Sequence, residues 1–205
     1  MAIACEFCEE FNKPGSWRTM KRARDYVLTP GLGSFVVGYA LLIPLTHVTS
    51  MASLGREKLS EMAGEIEEIR SLISTQTGSA VLIAEHGSGA CEVGASCVDH
   101  AHIHFLPTPD ANEAMHRFLA VDGKATKLAQ FYDLASTDME SYVYLSTTSD
   151  THLIWPSDRF ARQFVRRVVA TQHQLGAVYD WREFPFTENM RATHKQLLNK
   201  MSSAG

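Results

Sequence analysis

Three histidines alternate with apolar residues near the middle of the chain. Residues 99–106 read Asp-His-Ala-His-Ile-His-Phe-Leu. Side chains alternate between the two faces of a strand, so His100, His102 and His104 would share one face, with an apolar row on the other. An imidazole can act as a nucleophile, exchange a proton or bind a metal. A single strand histidine is more often exposed or incidental, but three at this spacing, ended by Pro107, predict a functional site.

Two cysteines near the N-terminus have the spacing of a metal-binding pair. Cys5 and Cys8 are separated by two residues, and two thiolates at this spacing can bind one tetrahedral zinc ion. The candidates for the two remaining ligands are His47, which follows an apolar strand, and His100. A site with four protein ligands has no open position, which is typical of a structural metal. The alternative interpretation of the two cysteines is a pair of buried thiols.

The composition predicts one globular domain with a C-terminal extension. The chain has 205 residues, of which 45% are apolar and 20% charged. Its formal charge of −4 disfavours extensive nucleic-acid binding. The most apolar stretch, residues 34–45, is too short to span a membrane, and the N-terminus lacks signal-peptide features. We therefore expect a cytoplasmic protein whose cysteines stay reduced, which favours metal binding over disulfides.

Hydrophobic periodicity predicts both helices and strands. Helical spacing of apolar residues predicts helices over residues 59–73, 112–121, 158–174 and 187–199. Short apolar or β-branched runs predict strands over residues 25–29, 34–44, 79–85, 99–106, 142–147 and 152–155. Residues 13–24 are predicted to form a loop. Antiparallel strands with helices packed beside them make the expected fold class α+β.

Three motifs together resemble the histidine triad superfamily of nucleotide hydrolases and transferases. Residues 100–106 match its His-x-His-x-His-x-x signature, with apolar residues at each x. Residues 39–47, Tyr-Ala-Leu-Leu-Ile-Pro-Leu-Thr-His, are similar to the family's strand that ends in Ile-Pro and is followed by a histidine. The cysteine pair matches the N-terminus of the zinc-containing branch. The motifs occur in the family's order.

This resemblance implies an architecture and a metal site. The fold would be an antiparallel, half-barrel-like sheet with flanking helices in residues 1–109, often homodimeric, with an α-rich extension in residues 110–205 packed on the same domain. In zinc-containing members, the first triad histidine and the histidine after Ile-Pro join the two cysteines. The resemblance thus assigns a structural Zn2+ to the following ligands: Cys5, Cys8, His47 and His100.

The resemblance also implies a mechanism. His102 would attack the α-phosphorus of a small-molecule nucleotide and form a covalent nucleotidyl-histidine, which water or another acceptor then cleaves. His104 would contact phosphate oxygens or help to protonate the leaving group. Sugar-phosphate uridylyltransferases of this superfamily carry glutamine at the position of His104, so the histidine favours the hydrolase or phosphorylase branches.

A loop before the triad and a basic helix after it are the predicted substrate contacts. Backbone N–H groups near Gly94 and the hydroxyl of Ser96 can donate to a phosphate. Members of the family commonly carry a serine three residues before the first triad histidine, where this chain has Cys97, so both Ser96 and Cys97 are candidates. Arg166 and Arg167 could bind a polyphosphate or an anionic leaving group, with a solvated basic helix face as the alternative.

The predicted function is hydrolysis of a phosphoanhydride or phosphoramidate bond to a nucleoside monophosphate. Dinucleoside polyphosphates and nucleotide conjugates are the expected substrates, and Trp181 beside Arg182 could stack on a base, although an aromatic residue covering the core is commoner. The alternatives are nucleotidyl transfer or phosphorolysis through the same intermediate, and a non-catalytic nucleotide-binding module. Nucleic-acid end processing would require a basic groove or a DNA-binding finger, and the sequence shows neither. The histidine pair after His100 favours an enzyme.

Overall fold

A computed structural model describes residues 5–12, 15–88 and 100–201. These residues form one eight-stranded sheet in which every pair of neighbouring strands is antiparallel. Helices cover both of its faces. The predicted α+β class, with an antiparallel sheet and flanking helices, is confirmed.

Helices and strands are interspersed along the chain. The helices are α1 (Glu6–Phe11), α2 (Arg56–Thr77), α3 (Ala111–Val121), α4 (Phe164–Gln172) and α5 (Thr187–Met201). The strands are β1 (Lys21–Arg22), β2 (Tyr26–Pro30), β3 (Ala40–Pro44), β4 (Ala80–Gly87), β5 (Ile103–Thr108), β6 (Thr126–Leu128), β7 (Tyr142–Thr148) and β8 (Thr151–Pro156). Short 3-10 turns cover Met51–Leu54, Phe131–Ser136 and Ser157–Arg159. None of the helices in the described ranges is long and apolar enough to cross a bilayer.

The strand order places the last histidine of the row in the middle of the sheet. The order is β1-β2-β3-β5-β4-β7-β8-β6. His104 on β5 lies opposite Leu41 of β3 on one side and Ala84 of β4 on the other. Strands β6, β7 and β8 come from residues after 110, so the sheet continues past the predicted boundary at residue 109.

Each face of the sheet carries its own apolar core. On the face covered by α2, the helix residues Ile66, Ile69 and Ile73 share a core with Ile103 and Phe105 of β5. Ala101 belongs to the same core, so the predicted apolar row between the histidines is confirmed. The opposite face, which we call the α4 face, packs against α1, α3 and α4. Side chains alternate along a strand, so His104 lies on the α4 face.

The predicted strand over residues 34–44 is wrong in its first half. Strand β3 begins only at Ala40, because the preceding residues form a turn. The Ser34 hydroxyl donates to the carbonyls of Gly31 and Tyr39, which closes this turn. Gly38 has a φ of +92°, a backbone conformation that residues other than glycine rarely adopt.

Three other boundaries also differ from the prediction. The helix predicted over residues 158–174 begins only at Phe164, because Gln163 has a φ of +55° and the residues before it form a 3-10 turn and an irregular link. The predicted loop over residues 13–24 contains strand β1, which pairs with β2. The histidine strand begins at Ile103, so His100 and His102 precede it.

Candidate functional site

Helix α1 presents the two cysteines to the start of the histidine row. Cys5 is the N-cap of this helix, and its Sγ accepts a hydrogen bond from the backbone N–H of Cys8 at 3.5 Å. Phe7 and Phe11 point from the other side of α1 into the core of the α4 face, and each is only 2% exposed. The apolar anchor therefore fixes the position of both thiols.

Strand β3 and the segment after it bring the two histidines to the same place. The Nε2 of His100 lies 2.7 Å from the carbonyl oxygen of Pro44, the last residue of β3. The next residue, Ala101, donates its backbone N–H to the carbonyl of Val48 at 2.7 Å. These contacts align residues 100–101 with residues 44–48, so that the rings of His47 and His100 meet edge to face at 4.9 Å.

The four predicted metal ligands form one cluster. Their ligand atoms all lie within 4.8 Å of one another: Cys5, Cys8, His47 and His100. The Sγ of Cys8 is 3.3 Å from Nδ1 of His47 and 3.5 Å from Nδ1 of His100, and the Sγ of Cys5 is 3.4 Å from Nδ1 of His100. A tetrahedral zinc ion with ordinary bond lengths would separate sulfur from nitrogen by about 3.6 Å. The cluster could therefore hold a metal ion of this size.

The chemistry of the donors fits a cation as well as the geometry does. Burial and the neighbouring Cys5 thiol raise the pKa of Cys8 to about 11, so two thiolates side by side require a positive charge between them. His100 can donate from Nε2 to the Pro44 carbonyl, which leaves the lone pair of Nδ1 directed at the thiols. This arrangement is the usual one for a histidine that binds a metal.

His102 is oriented by the backbone of its neighbour. Its Nδ1 lies 2.8 Å from the carbonyl oxygen of His100, and a carbonyl only accepts, so Nδ1 carries the proton. The edge of the ring meets the Phe7 ring at 5.5 Å with an interplanar angle of 90°. The described residues provide no hydrogen-bond partner for Nε2, which therefore presents a free lone pair. Burial lowers the pKa of His102 to about 4, which keeps the ring neutral at physiological pH.

His104 lies beside His102 and is held through its other nitrogen. The two ring centroids are 4.6 Å apart. The Nδ1 of His104 lies 2.7 Å from the hydroxyl oxygen of Tyr39, which in turn accepts from Nη1 of Arg166 at 2.9 Å. Burial lowers the pKa of His104 well below its ordinary value of 6.5, and the nearby His102 and Arg166 act in the same direction. Both histidines are therefore neutral bases at physiological pH.

Arg166 is buried and makes most of its hydrogen bonds inside the protein. Its side chain donates to the backbone carbonyls of Leu32, Gly33 and Tyr179 in addition to the hydroxyl of Tyr39, at 2.7 to 2.9 Å. These contacts use four of the five guanidinium N–H groups. The helix of Arg166 is thus tied to the turn before β3.

An open cavity is formed by residues of three segments. It has a volume of about 440 Å³ and is bordered by residues from α1, from the turn before β3 and from the segment before α5: Glu6, Leu32, Gly33, Trp181, Arg182 and Met190. Glu6 is followed in α1 by Phe7, which contacts His102. Gly33 is bonded to Arg166, which reaches His104 through Tyr39. The guanidinium of Arg182 stacks on the ring of Trp181 at 4.9 Å, so both residues of the predicted base-stacking pair border this space.

The remaining predicted substrate contacts are only partly described. Gly94, Ser96 and Cys97 lie outside the described residues. Arg167 is exposed, and its guanidinium lies 4.8 Å from the centre of the Tyr179 ring. Its contact with an anion stays a prediction.

Tyr39 is a site residue to which the sequence analysis assigned no role. It stands two residues before Leu41, which lies opposite His104 in the sheet, so Tyr39 and His104 belong to the same face. The register of β3 against β5 is the signal that would have identified it. The sequence motif supplies both strands but not their register.

Comparisons with known proteins identify similar solved structures only. A scan against family models found no match, and no curated protein matches. A histidine triad nucleotide-binding protein from Sulfolobus tokodaii is 18% identical, with a TM-score of 0.43 over 51% of this chain and 68% of that one. A HIT family protein from Bacillus anthracis is 19% identical, with a TM-score of 0.45 over 55% of this chain and 78% of that one. A histidine triad nucleotide-binding protein from Candida albicans is 15% identical, with a TM-score of 0.43 over 52% and 76% of the two chains.

Proposed function

We propose that this protein is a zinc-stabilised enzyme of the histidine triad superfamily that hydrolyses nucleotides through a covalent intermediate on His102. The substrate would be a phosphoanhydride or phosphoramidate of a nucleoside monophosphate. The observation that carries the proposal is the orientation of His102, whose Nδ1 proton is held by the carbonyl of His100 while Nε2 has no hydrogen-bond partner among the described residues. This is the state in which an imidazole is a nucleophile.

The first step forms the intermediate. Nε2 of His102 attacks the α-phosphorus, the bond from phosphorus to the leaving group breaks, and the electron pair departs with that group. The resulting nucleotidyl-imidazolium keeps its Nδ1 proton, which stays hydrogen-bonded to the carbonyl oxygen of His100. In the second step water attacks the same phosphorus, the bond from phosphorus to Nε2 breaks, and its electron pair returns to the imidazole. The proton of the attacking water passes to solvent, so the neutral imidazole is restored.

His104 supports these steps as a hydrogen-bond donor. Its ring is neutral and stands next to that of His102. A donor on its Nε2 would stabilise the negative charge that develops on a phosphate oxygen during attack. The predicted loop candidates Gly94, Ser96 and Cys97 would supply further donors to the same phosphate.

The zinc ion would have a structural role. Two thiolates and two imidazoles complete a tetrahedral shell, so no position is left for substrate or water. Bound there, the ion would tie α1 to the end of β3 and to His100. Because Phe7 of α1 contacts His102, this link would also hold the nucleophile in place.

The cavity bordered by Glu6, Gly33 and Trp181 is the proposed site for the nucleoside. Trp181 offers a flat aromatic surface at its edge, and Leu32 and Met190 supply apolar contacts. Stacking on an aromatic side chain suits every base because each base has a π-face. This arrangement supports a nucleotide substrate without selecting a particular base.

Trapping the intermediate tests the proposal. The protein is mixed with dinucleoside polyphosphates or nucleoside phosphoramidates and quenched in alkali, in which phosphohistidine survives, and its peptides are then mapped by mass spectrometry. We expect the mass of a nucleoside monophosphate on the peptide that contains His102. Absence of an adduct with every substrate, together with unchanged turnover in His102→Ala, would refute the mechanism. Adding inorganic phosphate separates hydrolysis from phosphorolysis, because the nucleotidyl group on His102 is released as a monophosphate by water and as a diphosphate by phosphate.

A further inference from the structure

A chain of hydrogen bonds links the C-terminal half of the protein to the histidine pair. Arg166 on α4 is 5% exposed and donates to the Tyr39 hydroxyl at 2.9 Å, and that hydroxyl lies 2.7 Å from Nδ1 of His104. The guanidinium is itself fixed by three backbone carbonyls. Tyr39 is 1% exposed, so this arrangement excludes water from its hydroxyl.

Counting protons gives the direction of each bond. A guanidinium only donates, so the Tyr39 oxygen must accept from Arg166. The proton of the hydroxyl then needs another acceptor, and Nδ1 of His104 is the one that the described residues provide. Burial raises the pKa of Tyr39 above its ordinary value, although Arg166 acts in the opposite direction, so the hydroxyl keeps its proton. His104 therefore accepts at Nδ1 and carries its own proton on Nε2.

We propose that Tyr39, oriented by Arg166, is a positioning residue that holds His104 in the tautomer with its proton on Nε2. This inference rests on the proposed function, since it supplies the donor that His104 needs in order to bind a phosphate oxygen. The two neighbouring histidines thus adopt opposite tautomers. His102 offers a lone pair at Nε2, and His104 offers a proton at Nε2.

The charge of Arg166 supports the same role. The ion pairs of the described residues do not include this arginine, so carbonyl and hydroxyl oxygens surround its buried charge. A buried charge without a counter-ion favours an anion nearby. Arg166 would therefore attract a bound phosphate by its charge without contacting it, because its N–H groups are hydrogen-bonded to protein oxygens.

Nitrogen-15 NMR of the imidazole rings tests the tautomer without any substrate. In the wild type, His104 should show a protonated Nε2 and an unprotonated Nδ1 that accepts a hydrogen bond. In Tyr39→Phe the two nitrogen shifts should move toward each other as the second tautomer becomes populated. A wild-type His104 protonated at Nδ1, or an unchanged spectrum in folded Tyr39→Phe, would overturn the inference even if the His102 adduct forms.

The chain offers a matched control for this substitution. Tyr144 is also buried, and its hydroxyl lies 2.7 Å from Nδ1 of His152 on the opposite face of the sheet. We expect Tyr39→Phe to lower kcat about 3- to 10-fold with little change in KM, which corresponds to one hydrogen bond. Tyr144→Phe should leave both constants unchanged. Equal losses in the two variants would assign Tyr39 a merely structural role.

Arg166→Met tests the first link of the chain. Without the guanidinium, the Tyr39 hydroxyl can turn and accept from His104, so both tautomers of His104 should appear. A folded variant that keeps the single Nε2-protonated form would remove Arg166 from the proposal. If this variant does not fold, the Tyr39→Phe spectrum decides. Loss of the His102 adduct in the wild type would refute the proposed function but leave the NMR result intact.

Discussion

Two tyrosine–histidine pairs lie on opposite faces of the same sheet, and they differ in the partner of the second histidine nitrogen. In each pair a buried tyrosine hydroxyl lies 2.7 Å from Nδ1 of a histidine, Tyr39 with His104 and Tyr144 with His152. On the α2 face, His152 uses its second nitrogen to reach the carbonyl of Ser149 at 2.9 Å. The second nitrogen of His104 has no partner among the described residues. We call the first pair open, because His104 is partly exposed, and the second pair closed, because His152 is buried and both of its nitrogens have partners.

This difference shows what distinguishes a site from a buried polar contact. A buried tyrosine partner and a lowered histidine pKa are common to both pairs, because desolvation lowers the pKa of His104 and of His152 alike. What differs is the second ring nitrogen, which has a carbonyl partner in His152 and has none among the described residues in His104. On the α4 face, the rings of His102 and His104 lie side by side and are partly exposed.

The largest effect is expected from the nucleophile. His102→Ala removes the nitrogen that would attack phosphorus, and we expect turnover to fall by about 10³-fold or more. The overall fold should persist, because the described contacts of the ring are those with the rings of Phe7 and His104 and one hydrogen bond to a carbonyl. Steady-state kinetics and circular dichroism measure the two quantities. Turnover within tenfold of the wild type would contradict the role of His102.

The two histidines of the tyrosine pairs should separate activity from stability. His104→Ala removes the proposed donor, and we expect kcat to fall about 10²-fold. His152→Ala should leave kcat unchanged but lower the free energy of unfolding by roughly 1–3 kcal/mol, because Tyr144 loses its partner inside the core. Kinetics and denaturant unfolding on both variants make the comparison. A large loss of kcat in His152→Ala would contradict the claim that only the open pair takes part in catalysis.

Removing a metal ligand should affect the stability of the α4 face. Cys5→Ser deletes one of four ligands, so we expect less than one zinc per chain and a loss of roughly 4 kcal/mol or more in unfolding free energy. Elemental analysis and denaturant unfolding provide the readouts. The wild type treated with a chelator should match the variant, and the variant itself should not respond to the chelator. A metal-free wild type of undiminished stability would refute a structural metal.

A buried carboxyl on the α2 face should make stability depend on pH. Glu85 is 0% exposed and accepts from the backbone N–H of Met51 and from the Tyr142 hydroxyl. Burial raises its pKa from 4.5 to about 7, although both hydrogen bonds act in the opposite direction. The folded chain therefore binds a proton that the unfolded chain releases between these values. The stabilisation by protonated Glu85 is complete below about pH 4.5 and is lost as the pH rises to about 7.

Glu85→Gln isolates this effect. The unfolding free energy of the wild type, measured relative to the variant, should fall by roughly 3 kcal/mol between pH 4.5 and pH 7 and stay constant above that range. Urea unfolding of both proteins across this range measures the difference. A difference that does not change with pH would show that Glu85 keeps its ordinary pKa. The pH profile of kcat should be the same in both proteins, since Glu85 lies on the α2 face, opposite to the face that carries His104.

The sequence predicted those parts of the site that are written as local patterns. Two residues separate Cys5 from Cys8 and the histidine row alternates, so the cysteine pair and the apolar row follow directly from the sequence. The resemblance adds His47 and His100, and the four residues form a cluster that could hold a metal ion. The α+β class followed from the periodicity of the elements. The motif also placed His102 and His104 side by side, as the ring distance of 4.6 Å bears out.

The links that depend on long-range packing could not be read in this way. Arg166 lies 62 residues after His104, and its contact with Tyr39 depends on how α4 packs against the turn before β3. The apolar residues of that turn predict a strand. The hydrogen bonds from Ser34 to nearby carbonyls, which form the turn instead, leave no pattern in the sequence. The start of α4 was missed for a similar reason, since no propensity signals the positive φ of Gln163. Side-chain chemistry was predictable where register and turns were not.

Native mass spectrometry of the wild type and His102→Ala tests the central claim, which is that neighbouring histidines of one row do separate work. A single spectrum taken during turnover reports both the zinc bound to the chain and the nucleotidyl adduct. We predict one zinc per chain in both proteins and the added mass of a nucleoside monophosphate in the wild type alone. An adduct that persists in His102→Ala, or zinc that disappears with His102, would contradict the division of the row.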